Sequence, residues 1–232
     1  MSNRHEVVAV LDRSGSMSQQ ALDVIGGFNT YITNIAKDSE KEGVDTYVTL
    51  VLFDDKVDVI YTSIPVQNLE PLTEQVFFTR GSTALLDAVG TAIETCKTAV
   101  ANIKTNVLDA LVDKIENVTV TFAIFTDGEE NASKKYKSEE VSETIKELSN
   151  EGWTFLYLGA GQETWKAAKA ANSLNIACGN VRAYGKKSED FEETFSMMSS
   201  GTLSRMRETQ NGVGATMNFF DDATRIMEEE AK

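Results

Sequence analysis

Continuous apolar runs alternate with amphipathic segments along most of this chain. The run VVAVL (residues 7–11) is apolar at every position, as is typical of a parallel strand whose two faces are both covered. From Met17 the apolar residues recur at spacings of three and four, which predicts an amphipathic helix. Because this change of period repeats, we predict an α/β fold of the Rossmann-like, doubly wound kind. It has a mostly parallel sheet, right-handed crossovers and helices on both faces.

One strand is expected to run against the others. Residues 47–53 predict a second buried strand, and Asp54 and Asp55 predict a tight turn at the protein surface. Residues 56–61 then alternate between polar and apolar side chains, which is typical of a half-exposed strand. We therefore predict one antiparallel edge strand, paired with its neighbour as a hairpin.

The alternation weakens toward the C-terminus. Before that point, the pattern predicts a long helix that begins near Thr83, a short helix over 106–115 and a short strand over 175–180. We predict one domain over residues 1–206, followed by a tail or a short terminal helix over 207–232.

The acidic balance of the chain limits its partners. The 232 residues include 36 acids and 22 bases, for a net charge of −14. A balance of this sign disfavours direct binding to nucleic acid, which needs clustered lysine and arginine, and to anionic membrane surfaces. It suits a divalent cation or a basic partner.

Histidine and cysteine are too scarce for several kinds of site. His5 is the single histidine, so neither a Ser-His-Asp or Cys-His hydrolase nor a histidine-rich metal site is expected. The two cysteines, Cys96 and Cys178, form no Cys-x-x-Cys pair, and Cys96 lies in an apolar helical stripe where burial is expected. We expect neither a signal peptide nor a membrane span, which needs roughly 20 apolar residues. The sequence therefore predicts a cytoplasmic protein.

Three clusters of oxygen-bearing side chains follow predicted strands or precede a predicted helix. Asp12, Ser14 and Ser16 come directly after the first strand, Thr83 precedes the long helix, and Asp127 follows a later buried strand. The carboxyl ends of parallel strands meet at one rim of the sheet, so we expect these side chains to converge. Carboxylate and hydroxyl oxygens are the ligands that hard cations such as Mg²⁺ prefer. The five residues therefore predict a divalent metal site.

Each cluster also has a purely structural interpretation. Ser16 and Gln19 fit a helix capping box, Thr83 can cap the long helix, and Asp127 with Gly128 is a common turn pair. The metal interpretation is favoured because all three clusters fall on the same predicted rim. A capping role for Ser16 is compatible with it.

Three motifs resemble the metal-ion-dependent adhesion site of von Willebrand factor A (vWA) domains. They are DRSGSM (residues 12–17), GSTALLDA (81–88) and FTDGEEN (125–131). The family pattern is Asp-x-Ser-x-Ser, a distant threonine and a distant Asp-Gly, and the resemblance extends over roughly residues 6–206. It implies the vWA form of the α/β fold and a bound Mg²⁺, Mn²⁺ or Ca²⁺.

The resemblance implies roles for the five predicted ligands. Ser14, Ser16 and Thr83 would bind the ion directly, and Asp12 and Asp127 would act through water or exchange with Thr83. The open position of the ion would take an aspartate or glutamate from a partner protein. The implied function is an intracellular, non-enzymatic adaptor or assembly module, and an AAA-type ATPase is one partner suggested by intracellular relatives.

Two other functions stay open at this point. A metal-dependent phosphoryl hydrolase would use the same ion, but an aspartyl phosphatase typically has a second acid where this chain has Ser14. No phosphate-cradling glycine-rich motif is present either. Membership of a ribonucleoprotein or ATPase chaperone complex is the other alternative, since the acidic charge argues only against direct nucleic-acid contact.

Three more acids lie near the predicted ligands in the sequence. Glu129 and Glu130 follow the Asp-Gly pair and are expected to point into solvent. Asp87 lies one turn into the long helix and is expected to support the site from there.

Overall fold

A six-stranded sheet forms the centre of the molecule. The computed structural model describes residues 2–106, 115–212 and 214–230. The strands are β1 (Ser2–Asp12), β2 (Val44–Phe53), β3 (Val57–Pro65), β4 (Ile115–Thr126), β5 (Trp153–Ala160) and β6 (Val181–Tyr184). Their order is β3-β2-β1-β4-β5-β6, with β3 antiparallel to β2 and every other pair parallel. The predicted mostly parallel sheet with one antiparallel edge strand is confirmed.

Helices cover both faces of this sheet. They are α1 (Ala21–Glu42), α2 (Leu85–Asn106), α3 (Ser138–Asn150), α4 (Thr164–Ser173), α5 (Ser188–Gln210) and α6 (Phe219–Glu230). One face is packed by α1, α5 and α6, and the other by α2, α3 and α4. In the part of the chain that the structure describes, no helix is both long and apolar enough to cross a lipid bilayer.

β1 is apolar at successive positions because it lies between two strands and between two layers of helices. It pairs in parallel with β2 on one side and with β4 on the other. Val8 and Val10 belong to the core under α2, α3 and α4, whereas Val7, Ala9 and Leu11 belong to the core under α1 and α5. All five side chains are buried, so the period of two along the strand supplies both cores.

α5 is enclosed by α1 on one side and by α6 on the other. Phe195 of α5 stacks on Phe125 of β4, with ring centroids 5.1 Å apart, and lies directly against Gly27 of α1. Phe219 of α6 packs in the same way against Gly201 of α5. Residue 206, the predicted end of the domain, lies inside α5, and the terminal segment contains α6.

Two predicted elements differ from the structure or lie outside it. The strand predicted over 175–180 is wrong, because the strand is β6 and a short 3-10 helix, Cys178–Asn180, precedes it. Ile176 is buried through contacts with the core under α4 rather than through strand pairing. The short helix predicted over 106–115 falls almost entirely on residues outside the described part of the chain.

The contact between α1 and α5 predicts opposite effects for two adjacent glycines. A methyl group at Gly27 would lie 2.1 Å from a ring carbon of the buried Phe195, whereas one at Gly26 would meet no atom within 4 Å. Gly27→Ala should lower the free energy of unfolding by about 1–3 kcal/mol through overpacking. Gly26→Ala should raise it by about 0.5–1 kcal/mol, because alanine loses less backbone entropy in a helix. Urea unfolding of both variants measures the two changes, and equal effects would contradict this packing.

Candidate metal centre

The loop after β1 turns back on itself directly after the last strand residue. The Ser14 N–H donates to Asp12 Oδ1 at 2.7 Å, which closes a turn of the type that aspartate favours. A 3-10 helix then covers Gly15–Gln19, and the Met17 N–H donates to the Ser14 carbonyl at 3.0 Å. Ser14 is thus the N-cap of this helix, and Ser16 lies inside the helix, so the alternative interpretation of Ser16 as a helix cap does not hold.

Four of the five predicted ligands form one hydrogen-bonded cluster. The Oγ atoms of Ser14 and Ser16 lie 3.0 Å apart, and the Ser16 hydroxyl donates to Asp127 Oδ1 at 2.5 Å. Asp12 accepts a further hydrogen bond at Oδ2 from the Thr126 hydroxyl, at 2.6 Å. The ends of β1 and β4 therefore place two carboxylates and two serine hydroxyls side by side at the rim of the sheet.

The fifth residue, Thr83, approaches the cluster across Gly128. A methyl group at Gly128 would lie 3.2 Å from Thr83 Oγ1 and 3.9 Å from Ser16 Oγ, so three loops meet at this glycine. Asn131 holds the threonine in place, since its Oδ1 accepts from the Thr83 N–H and its own N–H donates to the Thr83 carbonyl. Thr83 is buried, and α2 begins two residues later.

The donor set fits a hard cation better than a soft one. It consists of two carboxylates and three hydroxyls, with no nitrogen or sulfur among them. Among the described residues, no group of three or more histidine, cysteine, aspartate or glutamate side chains is arranged to hold a metal ion. The predicted site contains three hydroxyls and two acids, so it differs in composition from such a group. That these five residues bind a metal stays a prediction.

Charge at the cluster is only partly compensated by the protein. Burial raises the pKa of Asp12 to about 6, although hydrogen bonds from Thr126 and Ser14 lower it, and nearby Asp127 raises it further. The ammonium of Lys186, two residues after the end of β6, lies 3.5 Å from Asp127 Oδ2 and is half-exposed. A cation at the cluster would compensate both carboxylates.

The turn residue Asp54 corrects a sequence prediction. It was expected at the surface, but its side chain is fully buried, whereas Asp55 is exposed as predicted. Asp54 Oδ2 accepts from Arg13 Nε at 2.8 Å and from Arg80 Nε at 2.9 Å. Burial alone would raise the pKa of Asp54, but the hydrogen bonds from Arg80, the Lys56 N–H and Arg13 outweigh it and lower the pKa.

This ion-pair network joins the loops that carry the predicted ligands. Arg13 lies between two of those ligands in sequence, is itself buried, and also pairs with Asp58 on β3. The Arg80 N–H donates to the Arg13 carbonyl at 2.9 Å, and the Ala84 N–H donates to the Asp54 carbonyl at 2.8 Å. The network therefore fixes the loop after β1 and the loop before α2 on the β2–β3 turn.

Of the three other acids near the predicted ligands, two accept hydrogen bonds from other parts of the protein and one is exposed. Glu130 was expected in solvent, but it is half-buried and accepts from the Leu86 N–H and from the Ser133 N–H and hydroxyl. Asp87 accepts backbone N–H groups of residues 134–136, so it holds the loop before α3 rather than the cluster. Glu129 is exposed, as predicted.

Sequence reasoning missed the residues that support the ligands. Thr126 and Asn131 both lie within the FTDGEEN motif (residues 125–131), so their closeness to Asp127 in the sequence could have identified them. Arg13 lies inside DRSGSM, but the sequence gives no sign that it pairs with Asp54, 41 residues away. Nothing in the sequence indicates Lys186, because it lies in the segment after β6, far in the chain from Asp127.

This molecule has an open α/β sheet with oxygen-bearing side chains on the loops at the carboxyl ends of its strands. Such an arrangement is typical of the class of domains that bind their ligands at this rim of the sheet. Within this class, the sequence profile of the von Willebrand factor type A domain matches residues 6–199. The chain therefore belongs to the von Willebrand factor type A family, as its motifs predicted. Domains of this family are generally protein-interaction modules.

Solved structures of several origins share the fold. The domain of the pili tip protein Mfa5 from Porphyromonas gingivalis is 11% identical, with a TM-score of 0.57 over 87% of this chain and 97% of that one. The pilus adhesin SpaC from Lactobacillus rhamnosus GG is 11% identical, with a TM-score of 0.60 over 89% and 30%. Proximal thread matrix protein 1 from the mussel byssus was solved with zinc in its metal-ion-dependent adhesion site (MIDAS) motif. It is 13% identical, with a TM-score of 0.55 over 87% of this chain and 46% of that one. At these identities the likeness shows the fold alone.

This chain is shorter than many of the proteins that share its fold. It covers 46% and 48% of the mussel protein in two crystal forms, and 43% of a type A domain protein from Catenulispora acidiphila. No curated protein sequence matches it.

The buried network predicts a large loss of stability when Arg13 is removed. Arg13→Met keeps part of the side-chain volume but leaves Asp54 buried with Arg80 as its remaining cation. The free energy of unfolding should fall by about 3–5 kcal/mol, the usual effect of leaving one half of a buried ion pair. Arg225→Met is the control, because it removes an exposed pair with Asp222 and should cost about 1 kcal/mol or less. Similar losses in urea unfolding would contradict the role of the network.

Proposed function

We propose that this domain binds a partner protein through a divalent metal ion held at the rim of its sheet. The observation that supports the proposal is the convergence of Asp12, Ser14, Ser16, Thr83 and Asp127 from three loops. Two of these residues are acids and three are neutral hydroxyls, which suits an ion that keeps part of its positive charge for an outside ligand. Family membership supports the same function.

The residues divide into two groups in this proposal. Ser14, Ser16 and Thr83 are the direct ligands, and their neutral hydroxyls leave the charge of the ion largely uncompensated. Asp12 and Asp127 orient the hydroxyls and bound water, as carboxylates in an outer shell of a metal site commonly do. When bound, the ion supplies an open position that attracts an aspartate or glutamate of the partner.

Mg²⁺ is the ion we propose, with Mn²⁺ and Ca²⁺ as substitutes. All five side chains offer oxygen, which Mg²⁺ and Ca²⁺ prefer, whereas structural zinc sites favour cysteine and histidine. The mussel byssus protein was solved with zinc in its own site, so zinc is included in the metal titrations.

A cytoplasmic location, an AAA-type ATPase as partner, and the lack of nucleic-acid and membrane contacts are secondary proposals. They rest on the charge of −14 and on the family resemblance, and the pilus and byssus relatives lend them no support. No observation favours phosphoryl hydrolysis. An aspartyl phosphatase typically has a second acid two residues after its nucleophile, and Ser14 stands at that position here.

Metal binding itself is the first test. Titration with Mg²⁺ in a calorimeter should show one ion per chain, and the bound ion should raise the free energy of unfolding by about 2.7 kcal/mol at a concentration 100 times Kd. Asp12→Ala and the double variant Ser14→Ala with Ser16→Ala should lose both effects. Asp45→Asn is the matched control, because Asp45 is an exposed acid at the start of β2, at the opposite end of the strands. Unchanged binding by Asp12→Ala would refute the site.

Capture of a partner is the second test. Wild-type protein should retain a specific protein from native lysate in Mg²⁺ and release it into a chelator, because the partner's acid binds through the ion. Asp12→Ala should capture none, while Asp45→Asn should behave as wild type. Metal-dependent release of phosphate from a generic phosphate ester, with no metal-dependent capture, would instead favour the hydrolase.

A further inference from the structure

A lysine side chain reaches Asp127 from the segment between β6 and α5. Lys186 Nζ lies 3.5 Å from Asp127 Oδ2, while Asp127 Oδ1 accepts the hydroxyl of Ser16. The Asp127 side chain is 1% exposed, whereas that of Lys186 is 49% exposed. Within the part of the chain that the structure describes, no other lysine or arginine pairs with either carboxylate of the site. The positive charge at Asp127 is therefore carried by a side chain that can move into solvent.

The backbone from which this lysine extends is held in place by its neighbours. Residues 185–187 join β6 to α5. The Lys187 N–H donates to Asp190 Oδ2 at 3.1 Å, which closes the first turn of α5. A methyl group at Gly185 would overlap the same Asp190 carboxylate, so the turn packs directly on the helix. Because its backbone is fixed, Lys186 can leave Asp127 only by rotation of its side chain.

The glycine at position 161 makes room for the lysine side chain. The Gly161 N–H donates to the Tyr184 carbonyl at 2.7 Å, so the loop after β5 lies against the end of β6. A methyl group at Gly161 would lie 2.6 Å from Lys186 Cγ and 2.8 Å from its Cδ, closer than carbon atoms pack. Gly161 also has a φ of +60°, a conformation that favours glycine. The apolar part of Lys186 therefore crosses the loop at a point that any other side chain would obstruct.

The neighbouring acids leave the lysine to Asp127. Glu163 lines the same shallow surface pocket as Lys186, but it accepts the Trp165 indole N–H at 2.5 Å. Asp12, the other carboxylate of the proposed site, accepts hydrogen bonds from uncharged groups. Two carboxylates and one ammonium thus leave a single net negative charge at this part of the rim.

We propose that Lys186 is an internal cation that competes with the metal ion for Asp127 and so sets the affinity of the site. This inference rests on the proposed function, because it places Asp127 in the metal site. An ammonium and a divalent ion beside one carboxylate repel each other, and such interactions are about fourfold stronger near a protein surface than in bulk water. Metal binding is therefore weaker than it would be at the same rim without the lysine. A lysine that merely orients Asp127 would have the opposite effect.

Calorimetric titration with Mg²⁺ tests the competition. Lys186→Met removes the charge and keeps most of the apolar side chain, so the Mg²⁺ affinity should rise about tenfold. Lys186→Arg keeps the charge and should stay within about threefold of wild type. Lys41→Met is the matched control, because it makes the same change of net charge in the last turn of α1, at the opposite end of the strands. Its affinity should equal that of wild type.

Urea unfolding provides a second readout of the same competition. In a chelator, Lys186→Met should unfold at a lower urea concentration than wild type, because the buried Asp127 has lost its cation. In saturating Mg²⁺ the difference should close, since tighter metal binding offsets the lost ion pair. A difference of the same size with and without Mg²⁺ would show that lysine and metal act independently, and would overturn the proposal.

A substitution that leaves the charge unchanged tests the path of the lysine. Gly161→Ala should push Lys186 away from Asp127 and raise the Mg²⁺ affinity about threefold, although the positive φ makes the loop itself less stable. In the Lys186→Met background the same substitution should leave the affinity unchanged, because no ammonium remains to be displaced. Equal changes in both backgrounds would contradict the path over Gly161.

The outcomes separate this inference from the proposed metal site. A wild-type chain that binds no Mg²⁺ would refute the site and the inference together. Mg²⁺ binding that Lys186→Met leaves unchanged would overturn the competition and leave the metal site standing. Weaker Mg²⁺ binding by Lys186→Met would also overturn it, and would make Lys186 a residue that positions Asp127 for the metal.

Discussion

The parallel pairing of β1 with β4 is the constraint on which the rim of the sheet depends. Its register sets Leu11 opposite Phe125, so Asp12 and Thr126 leave the two strands side by side. This position allows the Thr126 hydroxyl to donate a hydrogen bond to Asp12, and it places the next residue, Asp127, where it accepts one from Ser16. A slip of one residue would turn every apolar side chain of β1 toward the wrong core. The two cores therefore fix the geometry of the candidate site together with the register.

The buried pair of Arg13 and Asp54 adds a second constraint, which is geometric more than energetic. Desolvation of two charges offsets much of their mutual attraction, so the pair contributes little net stability compared with an apolar replacement of both. The Arg13 guanidinium is planar, however, and Arg13 lies in the sequence between two predicted ligands, Asp12 and Ser14. Arg80 extends the same restraint to the loop that carries Thr83. The loops are thus positioned before any ligand arrives.

The sequence predicted those parts of the molecule that depend on local periodicity. Continuous apolar runs identified the central strands, and oxygen-bearing residues at the strand ends identified the cluster, because neighbouring parallel strands end at one rim. The burial of Asp54 could not be predicted, since a turn aspartate looks the same in sequence whether its partner is water or an arginine 41 residues away. β6 was misplaced because it has only four residues at the sheet edge, three of them half-buried. Tertiary contacts decide such positions, and periodicity does not report them.

Because the chain is strongly acidic, only short-range contacts at this rim of the sheet can favour an acidic partner. A net charge of −14 repels an acidic partner at long range, but salt screens that repulsion beyond roughly 8 Å. A partner acid therefore gains only where it meets positive charge directly, at the proposed ion. Each contact of about 1.4 kcal/mol multiplies affinity tenfold, so contacts of the protein surface around the proposed ion add to what the ion alone provides. Selectivity in this proposal arises from those surrounding contacts, because a lone metal–carboxylate bond would accept any accessible acid.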